Sequence, residues 1–246
     1  MARAKKDKKV KLMDIEELKE LYTVKQQEYG VDAYRHISEL LNEAKAIHKE
    51  AWEKENPNGN HGQSWNSIKG HRLELLIRHI VVQQIQLLGL KIIEGRELIK
   101  QTIKLTNELQ QIKRNLVIDY GEFGMHLPDA DLIIYNPENY QDIIILSIKS
   151  TMRDRVAQTG YWKLKRMQSP LTEKTLVYFI TLDEDGDLNR TKSYRKPRAI
   201  VEVDTDSCYV LTEETIEISD NVKTFDRFIN DVEIWLSERQ SDIQSS

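Results

Sequence analysis

The sequence predicts an α/β (α+β) protein in which a mixed β-sheet is flanked by helices and preceded by a helical region. Three observations carry that prediction. Apolar residues recur at helical spacing through roughly the first hundred residues. The pattern then changes to short β-rich runs, LVID, DLIIY and DIIILSIKS. Further strands follow, and the chain ends on an amphipathic stretch.

The elements follow in order. Residues 1–12 are a Lys-rich tail. Met13 to Tyr22 and Val31 to Trp52 read as helices, the second with Tyr34, Ile37, Leu40, Leu41, Ala44 and Ile47 on one face. ENPNGNHGQS is a loop, dense in Asn, Gly and Pro. Ser64 is placed to cap a helix running to about Leu88, ended by Gly89, and a further helix is expected over Glu94 to Arg114. LVID, DLIIY and DIIILSIKS read as strands of one sheet, the last two as a hairpin across NPENYQ. Met152 to Met167 reads as a helix, TLVYFITL as a buried strand, DEDGD as a turn, AIVEVD and CYVL as strands, and Val222 to Arg239 as a terminal helix. Residues 1–60 form the tail and helical region, and residues 61–246 the sheet-bearing domain, expected as one compact unit.

Composition narrows the classes. Hydrophobic residues make up 39% of the 246 and charged residues 31%, which suits a globular chain with a real core. No apolar run approaches the roughly 20 residues that span a bilayer, and the basic start lacks the apolar segment of a secretory signal. The single cysteine, Cys208, excludes an internal disulfide framework or a cysteine-rich zinc site. Its setting, SCYVL, reads as a strand interior, and a reducing cytoplasm is the simplest compartment. The net charge of -4 hides a gradient. Glu202 to Ser246 holds 12 acidic and 3 basic residues, whereas Met1 to Val201 holds 33 basic and 28 acidic. Such a chain can present a basic face while its C-terminal part stays acidic.

The stretch with most chemical content is PDADLIIYNPENYQDIIILSIKST. Asp129 and Asp131 open one strand, and Lys149 closes its hairpin partner 18 positions after Asp131. An antiparallel hairpin returns those ends to the same edge of the sheet. A carboxylate and an ammonium there suit metal-dependent hydrolysis, the acid holding a hard cation and the lysine orienting water. Strand-end charges in solvent are the plainer reading. On the long helix before the sheet, Glu74 has apolar neighbours at helical spacing, so its side chain is expected near the core-facing side. His71 shares that face and could touch phosphate or the acid, or simply pack.

These residues resemble the PD-(D/E)xK nuclease signature, with one departure. The triplet is Ser147-Ile148-Lys149, so serine stands where the second acid is usual. In the branch of restriction endonucleases that read CCGG-type sites the triplet also has serine and a following helix supplies the acid, but Tyr161 to Arg166 contains no Glu. Ser64-Trp65, Gly70-His71, Glu74, the strand pair ending in Lys149, and STMRDRV together resemble the BsaWI-type restriction endonucleases over roughly Ser64 to Arg166, with a terminal helix bearing Trp235. That resemblance implies a restriction-endonuclease-like fold and a type II enzyme that hydrolyses double-stranded DNA with Mg²⁺ at a palindrome containing CCGG or a related CC/GG core. It implies Asp131 rather than Asp129 as metal ligand, Glu74 as the second acid, the Ile148 carbonyl as a further ligand, Lys149 positioning water, and Ser147 as a supporting hydrogen-bond donor.

Arg153-Asp154-Arg155 follows the lysine closely. Arginine pairs with guanine O6 and N7 and aspartate accepts from cytosine N4, and the CCGG-reading enzymes use such a motif. The plainer reading is a charged first helical turn. Expected backbone contacts are His71, Lys163, Lys165 and Arg166, with Arg195, Lys196 and Arg198 from the acid-free run that starts at Arg190. The Lys-rich tail either touches phosphates or only solubilises. A palindromic site favours a homodimer, with the helices before Gly59 and the terminal helix as candidate interfaces. A cognate DNA methyltransferase and a prokaryotic cytoplasm are expected, with no membrane partner. Two rivals remain at this level: a structure-specific repair or recombination nuclease of the same fold, and a catalytically degenerate DNA-binding module.

Overall fold

The computed structural model describes residues 14–99, 104–189 and 195–244, and the Lys-rich tail, Arg190 and Lys192 lie outside the described residues. The chain runs α1 (Ile15–Tyr29), α2 (Ile37–Glu55), α3 (His61–Leu87), β1 (Lys91–Glu94), α4 (Asn107–Leu116), β2 (Ile118–Asp119), β3 (Met125–His126), β4 (Leu132–Tyr135) and β5 (Ile143–Lys149). It continues with α5 (Arg153–Arg166), β6 (Leu176–Thr181), α6 (Lys196–Asp204), β7 (Ser207–Val210), β8 (Val222–Thr224) and α7 (Phe228–Gln244). The main sheet has the order β1-β4-β5-β6-β7-β8. Its first two pairings are antiparallel and the remaining three parallel.

Side-chain parity builds the layers. Successive strand residues face opposite sides of a sheet. Leu132, Ile134, Ile144, Leu146, Ile148, Tyr178 and Ile180 therefore share a core with Leu18, Leu40, Leu73, Ile77 and Phe228 of the helices on one face. On the other face, Ile133, Tyr135, Ile143 and Ile145 meet Ile112 and Leu116 of α4, while Phe179, Cys208 and Val210 meet Val156 and Val201 of α5 and α6. Coverage of both faces explains why DLIIY and DIIIL are continuously apolar. The helices α1 and α2 share the first core with α3 and the sheet. Lys25 ties them together by reaching Glu39 at 3.0 Å and Glu43 at 2.9 Å.

Several expected elements differ. The N-cap of α3 is Asn60, whose side chain accepts from the Gln63 N–H at 3.1 Å, so Ser64 lies inside the helix. Glu94, the expected start of a helix, is instead the last residue of strand β1, a short 3-10 turn follows it, and the described helix of that stretch is α4, Asn107–Leu116. LVID supplies β2, which pairs with β3 in a separate small hairpin rather than with the main sheet. AIVEVD lies in helix α6, where Pro197 sits in the first turn and Arg198 pairs with Glu202 at 2.6 Å. Its β-branched residues mimic a strand, but the buried positions are Arg198 and Val201, at helical spacing. The terminal stretch begins as strand β8, paired with β7, before α7 starts at Phe228. Cys208 is fully buried in β7, and burial raises its thiol pKa, which leaves it chemically quiet. Among the described residues, no helix is long and apolar enough to cross a membrane.

The junction of α2 and α3 carries a titratable pair. His48 is buried, and its Nδ1 lies 2.9 Å from Nε2 of His61. Burial, then the nearby His61 and Arg72, lowers the His48 pKa below its ordinary value. A base whose pKa is depressed on folding costs stability as pH falls below its unfolded value. Thermal unfolding at pH 7.5 and pH 5.5 is therefore expected to show a smaller acid loss in His48→Gln than in the wild type. Equal losses would contradict the assignment.

Candidate active site

The site forms where the antiparallel hairpin meets the parallel half of the sheet. The Asp131 N–H donates to the Leu146 carbonyl at 3.1 Å, extending the β4–β5 ladder by one residue. That pairing turns the Asp131 carboxylate toward the end of β5. Its Oδ2 accepts from the Ile148 N–H and from Lys149 Nζ, both at 2.6 Å. The two side chains are 10% and 11% exposed, so the pair is largely withdrawn from water. Among the described residues, Asp131 Oδ1 has no hydrogen-bond donor.

Helix α3 brings Glu74 to the same place. Its side chain is 15% exposed, and Oε2 lies 3.0 Å from Arg96 and 3.3 Å from His71 Nδ1. Burial and then the charge of Asp131 push its pKa up to about 7, while Lys149 and Arg96 pull it down. Burial and the Arg96 charge lower the His71 pKa, so the neutral ring lies against the Arg96 guanidinium, with Nε2 2.9 Å from Nη1. Arg96 follows Gly95, whose N–H donates to the Asp131 carbonyl at 3.0 Å. A Cβ at Gly95 would lie 1.9 Å from the Ala130 carbonyl oxygen. Gly95→Ala is therefore expected to cost about 1–3 kcal/mol or more and to displace Asp131, read as a lower urea midpoint and slower cleavage. Unchanged values of both would show that the backbone there can yield.

A cleft of about 600 Å³ opens beside these groups. It is lined by Asn66, Lys69, Gly70 and Glu74 of α3, by Ile148 to Thr151, by Arg153 and Arg155 of α5, and by Glu184. It lies beyond the carboxyl ends of the parallel strands β5 and β6, the usual ligand side of such a sheet. None of its lining residues belongs to the acidic segment after Glu202. The turn after β6 holds two walls together. Lys69 Nζ meets Glu184 at 2.6 Å, and the Asp185 carboxylate accepts from the Met152 N–H at 3.2 Å, capping α5. Arg153 starts that helix at φ 26°, a backbone angle unusual outside glycine. Among the described residues, the Arg153 and Arg155 guanidinium groups form no ion pair, and the Asp154 side chain lies outside the described residues.

The other sequence candidates separate. Ser147 is buried and bonds Thr159 Oγ1 of α5 at 2.9 Å, on the sheet face of α5. Two expected backbone contacts are corrected: Arg166 and Arg198 are 1% and 2% exposed. Arg198 is tied to Glu202 and the Leu188 carbonyl, and Arg166 is enclosed beneath the last turn of α5. Lys163 pairs with Asp206 at 2.8 Å, Lys165 lies 5.4 Å from the Tyr120 ring, Arg195 reaches Asp187, and Lys196 is exposed. The residues missed in the sequence are Asn66, Lys69, Arg96 and Glu184. Asn66 and Gly70 stand eight and four positions before Glu74, a spacing that puts them on its helix face.

A sequence model described as BsaWI restriction endonuclease type 2 matches residues 108–231. Over 211 residues the chain is 32% identical to a Methanocaldococcus jannaschii protein named as type II restriction enzyme MjaVIP, covering 80% of this chain and 92% of that one. The chain belongs to the BsaWI family of type II restriction endonucleases. It is thus a site-specific deoxyribonuclease. This BsaWI-family endonuclease is also 38% identical over 102 residues to a Helicobacter pylori protein named as type II restriction enzyme HpyAORF263P, covering 37% of this chain and 52% of that one. Among solved structures it resembles the restriction endonuclease PspGI in complex with substrate DNA, at TM-score 0.51 and 16% identity over 90% of this chain and 93% of that one. It also resembles a specific AgeI–DNA complex, at TM-score 0.50 and 12% identity over 90% and 91% of the two chains. Both likenesses bear on the fold, a mixed sheet flanked by helices.

The donor set fits a hard divalent cation. It is made of the carboxylate oxygens of Asp131 and Glu74, the hard donors such an ion prefers, and burial first and the Asp131 charge second raise the Glu74 pKa.

Proposed function

We propose that this endonuclease cuts double-stranded DNA with Mg²⁺ at a short palindrome with a CCGG or related CC/GG core, using Asp131, Glu74 and Lys149. The observation that carries the reading is the largely solvent-withdrawn Lys149–Asp131 pair at 2.6 Å beside Glu74, opening on a cleft that Arg153 and Arg155 also line. Asp131 and Glu74 would hold the cation, with the Ile148 carbonyl as a third candidate. When bound there, Mg²⁺ supplies charge stabilisation to the scissile phosphate and the leaving oxygen. The chain's own groups do the rest. Lys149 orients the attacking water from its place on Asp131. The Ile148 N–H fixes the Asp131 carboxylate, so that group is pre-set when DNA arrives. Ser147 acts at one remove, anchoring β5 to α5 through Thr159.

In this reading the bases are met by Arg153, Asp154 and Arg155, because they start the helix that enters the cleft wall. His71, Lys163, Lys165, Arg195 and Lys196 remain the backbone candidates. A two-fold DNA site is matched by a homodimer. The apolar side chains Tyr161 and Leu164 are exposed on α5, and Tyr120 of the β2–β3 hairpin touches Tyr161 at 3.2 Å, with Phe123 and Met125 exposed beside it. These support an interface there rather than on the helices before Gly59 or the terminal helix. Sedimentation of Leu164→Asp is expected to show a monomer where the wild type is a dimer. A dimer in both would return the interface to the terminal elements. A prokaryotic cytoplasm and a methyltransferase protecting the same site complete the proposal.

Incubating a plasmid with the protein tests the reaction. Discrete fragments in Mg²⁺ and none in EDTA are expected. End-dependent or unpatterned loss would favour a structure-specific nuclease, and binding without cleavage in Mg²⁺ or Mn²⁺ would favour a degenerate binding module.

A further inference from the structure

The acid pair of this site comes with two cations, one for each acid. Lys149 lies 2.6 Å from Asp131, and Arg96 lies 3.0 Å from Glu74. Arg96 comes from an unrelated element, the 3-10 turn after the edge strand β1, and it is built in from several sides. Gly95 packs without space for a side chain against Ala130, the residue before Asp131. The His71 ring lies against the guanidinium, and Glu94 Oε2 holds its Nε at 3.0 Å. Arg96 therefore has two carboxylate partners, one inside the site and one outside it. It can keep Glu94 when Glu74 is taken by another cation.

We propose that Arg96 is the resident counter-ion of Glu74, a positioning residue that neutralises the site until a divalent cation takes its place and so lets a DNA phosphate approach the metal-free protein. The inference rests on the reading of Glu74 and Asp131 as the metal-binding acids. Two bare carboxylates beside a cleft repel a phosphate at short range, where low dielectric makes the repulsion strong. With both acids ionised, Lys149 and Arg96 bring these four side chains to zero net charge, and Glu94, outside the acid pair, has Arg78 at 3.9 Å as well. A cation arriving between the acids then competes with Arg96 for Glu74, and releasing Arg96 toward Glu94 leaves no charge stranded.

Two measurements with Arg96→Gln test this. In EDTA, fluorescence anisotropy with a labelled duplex carrying the site cut in plasmid is expected to show binding weakened about tenfold. Ca²⁺ should bring it back to near the wild-type value. Adding Glu74→Gln to Arg96→Gln removes one charge of each sign, so the double variant should bind in EDTA like the wild type, as should Arg96→Lys. A double variant as weak as the single one would mean that Arg96 grips DNA itself and would overturn the proposal, as would no loss in the single variant. Terbium luminescence without DNA is the second readout. Arg96→Gln should bind Tb³⁺ about tenfold more tightly, because a competing cation is gone. Weaker or unchanged binding would mark Arg96 as mere scaffolding. If the wild type binds no duplex at all, the nuclease reading of the site fails, while the terbium titration still decides the role of Arg96.

Discussion

Asp131→Asn and Lys149→Gln are each expected to lower the rate of DNA cleavage in Mg²⁺ by about three orders of magnitude or more, with site-specific binding retained. The two residues meet at 2.6 Å, and both are about nine-tenths withdrawn from solvent. Asparagine keeps an oxygen for the Ile148 N–H and so preserves the local ladder, but it cannot supply the anionic ligand that a hard cation needs. Glutamine keeps much of the length of Lys149 without the charge that orients water and faces the phosphate. Neither change touches Arg153 or Arg155, so recognition should survive. Single-turnover cleavage and anisotropy on the same duplex separate the two effects. Cleavage at the wild-type rate in either variant would remove that residue from the chemistry.

Arg153→Ala and Arg155→Ala should each reduce discrimination at one G·C pair by about 1–3 kcal/mol, which is roughly 5- to 150-fold in relative kcat/KM. Both side chains line the cleft, and among the described residues neither is spent on an ion pair, so both are available to a partner. The Asp185 carboxylate on the Met152 N–H fixes where α5 begins, and with it the direction in which Arg153 leaves the backbone. Loss of a residue that touches only phosphate would weaken all sequences alike. Competition between the cognate duplex and one with a substituted G·C pair distinguishes the cases. An unchanged ratio would place the arginines on the backbone.

The metal requirement should also depend on pH. Glu74 must be ionised to serve a cation, yet its carboxyl sits at about 7 in the metal-free protein. The Mg²⁺ concentration for half-maximal cleavage is therefore expected to rise as pH falls below about 7. For stability the sign is opposite, since a carboxyl raised on folding favours the fold as pH drops toward its unfolded value. Glu74→Gln removes the acid ligand and should abolish the pH-dependent part along with most of the activity.

The hairpin was legible because two signals coincide there. Its strands are apolar on both faces, and Asp131 and Lys149 stand at the two ends that an antiparallel turn brings together. The placement of Glu74 near the core-facing side of α3 followed from helical spacing. Arg96 was not legible, because reading Glu94 to Arg114 as one helix hid the edge strand and the turn that carry it to Glu74, 22 positions earlier in sequence. A four-residue edge strand has too few positions to show a period. The basic residues misled for a related reason. Arg198 reads as a backbone contact because the following AIVEVD reads as a strand, which hides the helical pairing of Arg198 with Glu202 four positions on. Arg166 shows that a cation in the last turn of a helix can point into the fold.

The most direct test of the whole account is to digest a plasmid in Mg²⁺ and sequence the fragment ends. Every end is expected to fall at one fixed position within a palindrome whose core is CCGG or a close CC/GG relative, and EDTA is expected to leave the plasmid intact. Ends scattered without a common sequence, or a common sequence lacking a CC/GG core, would contradict it.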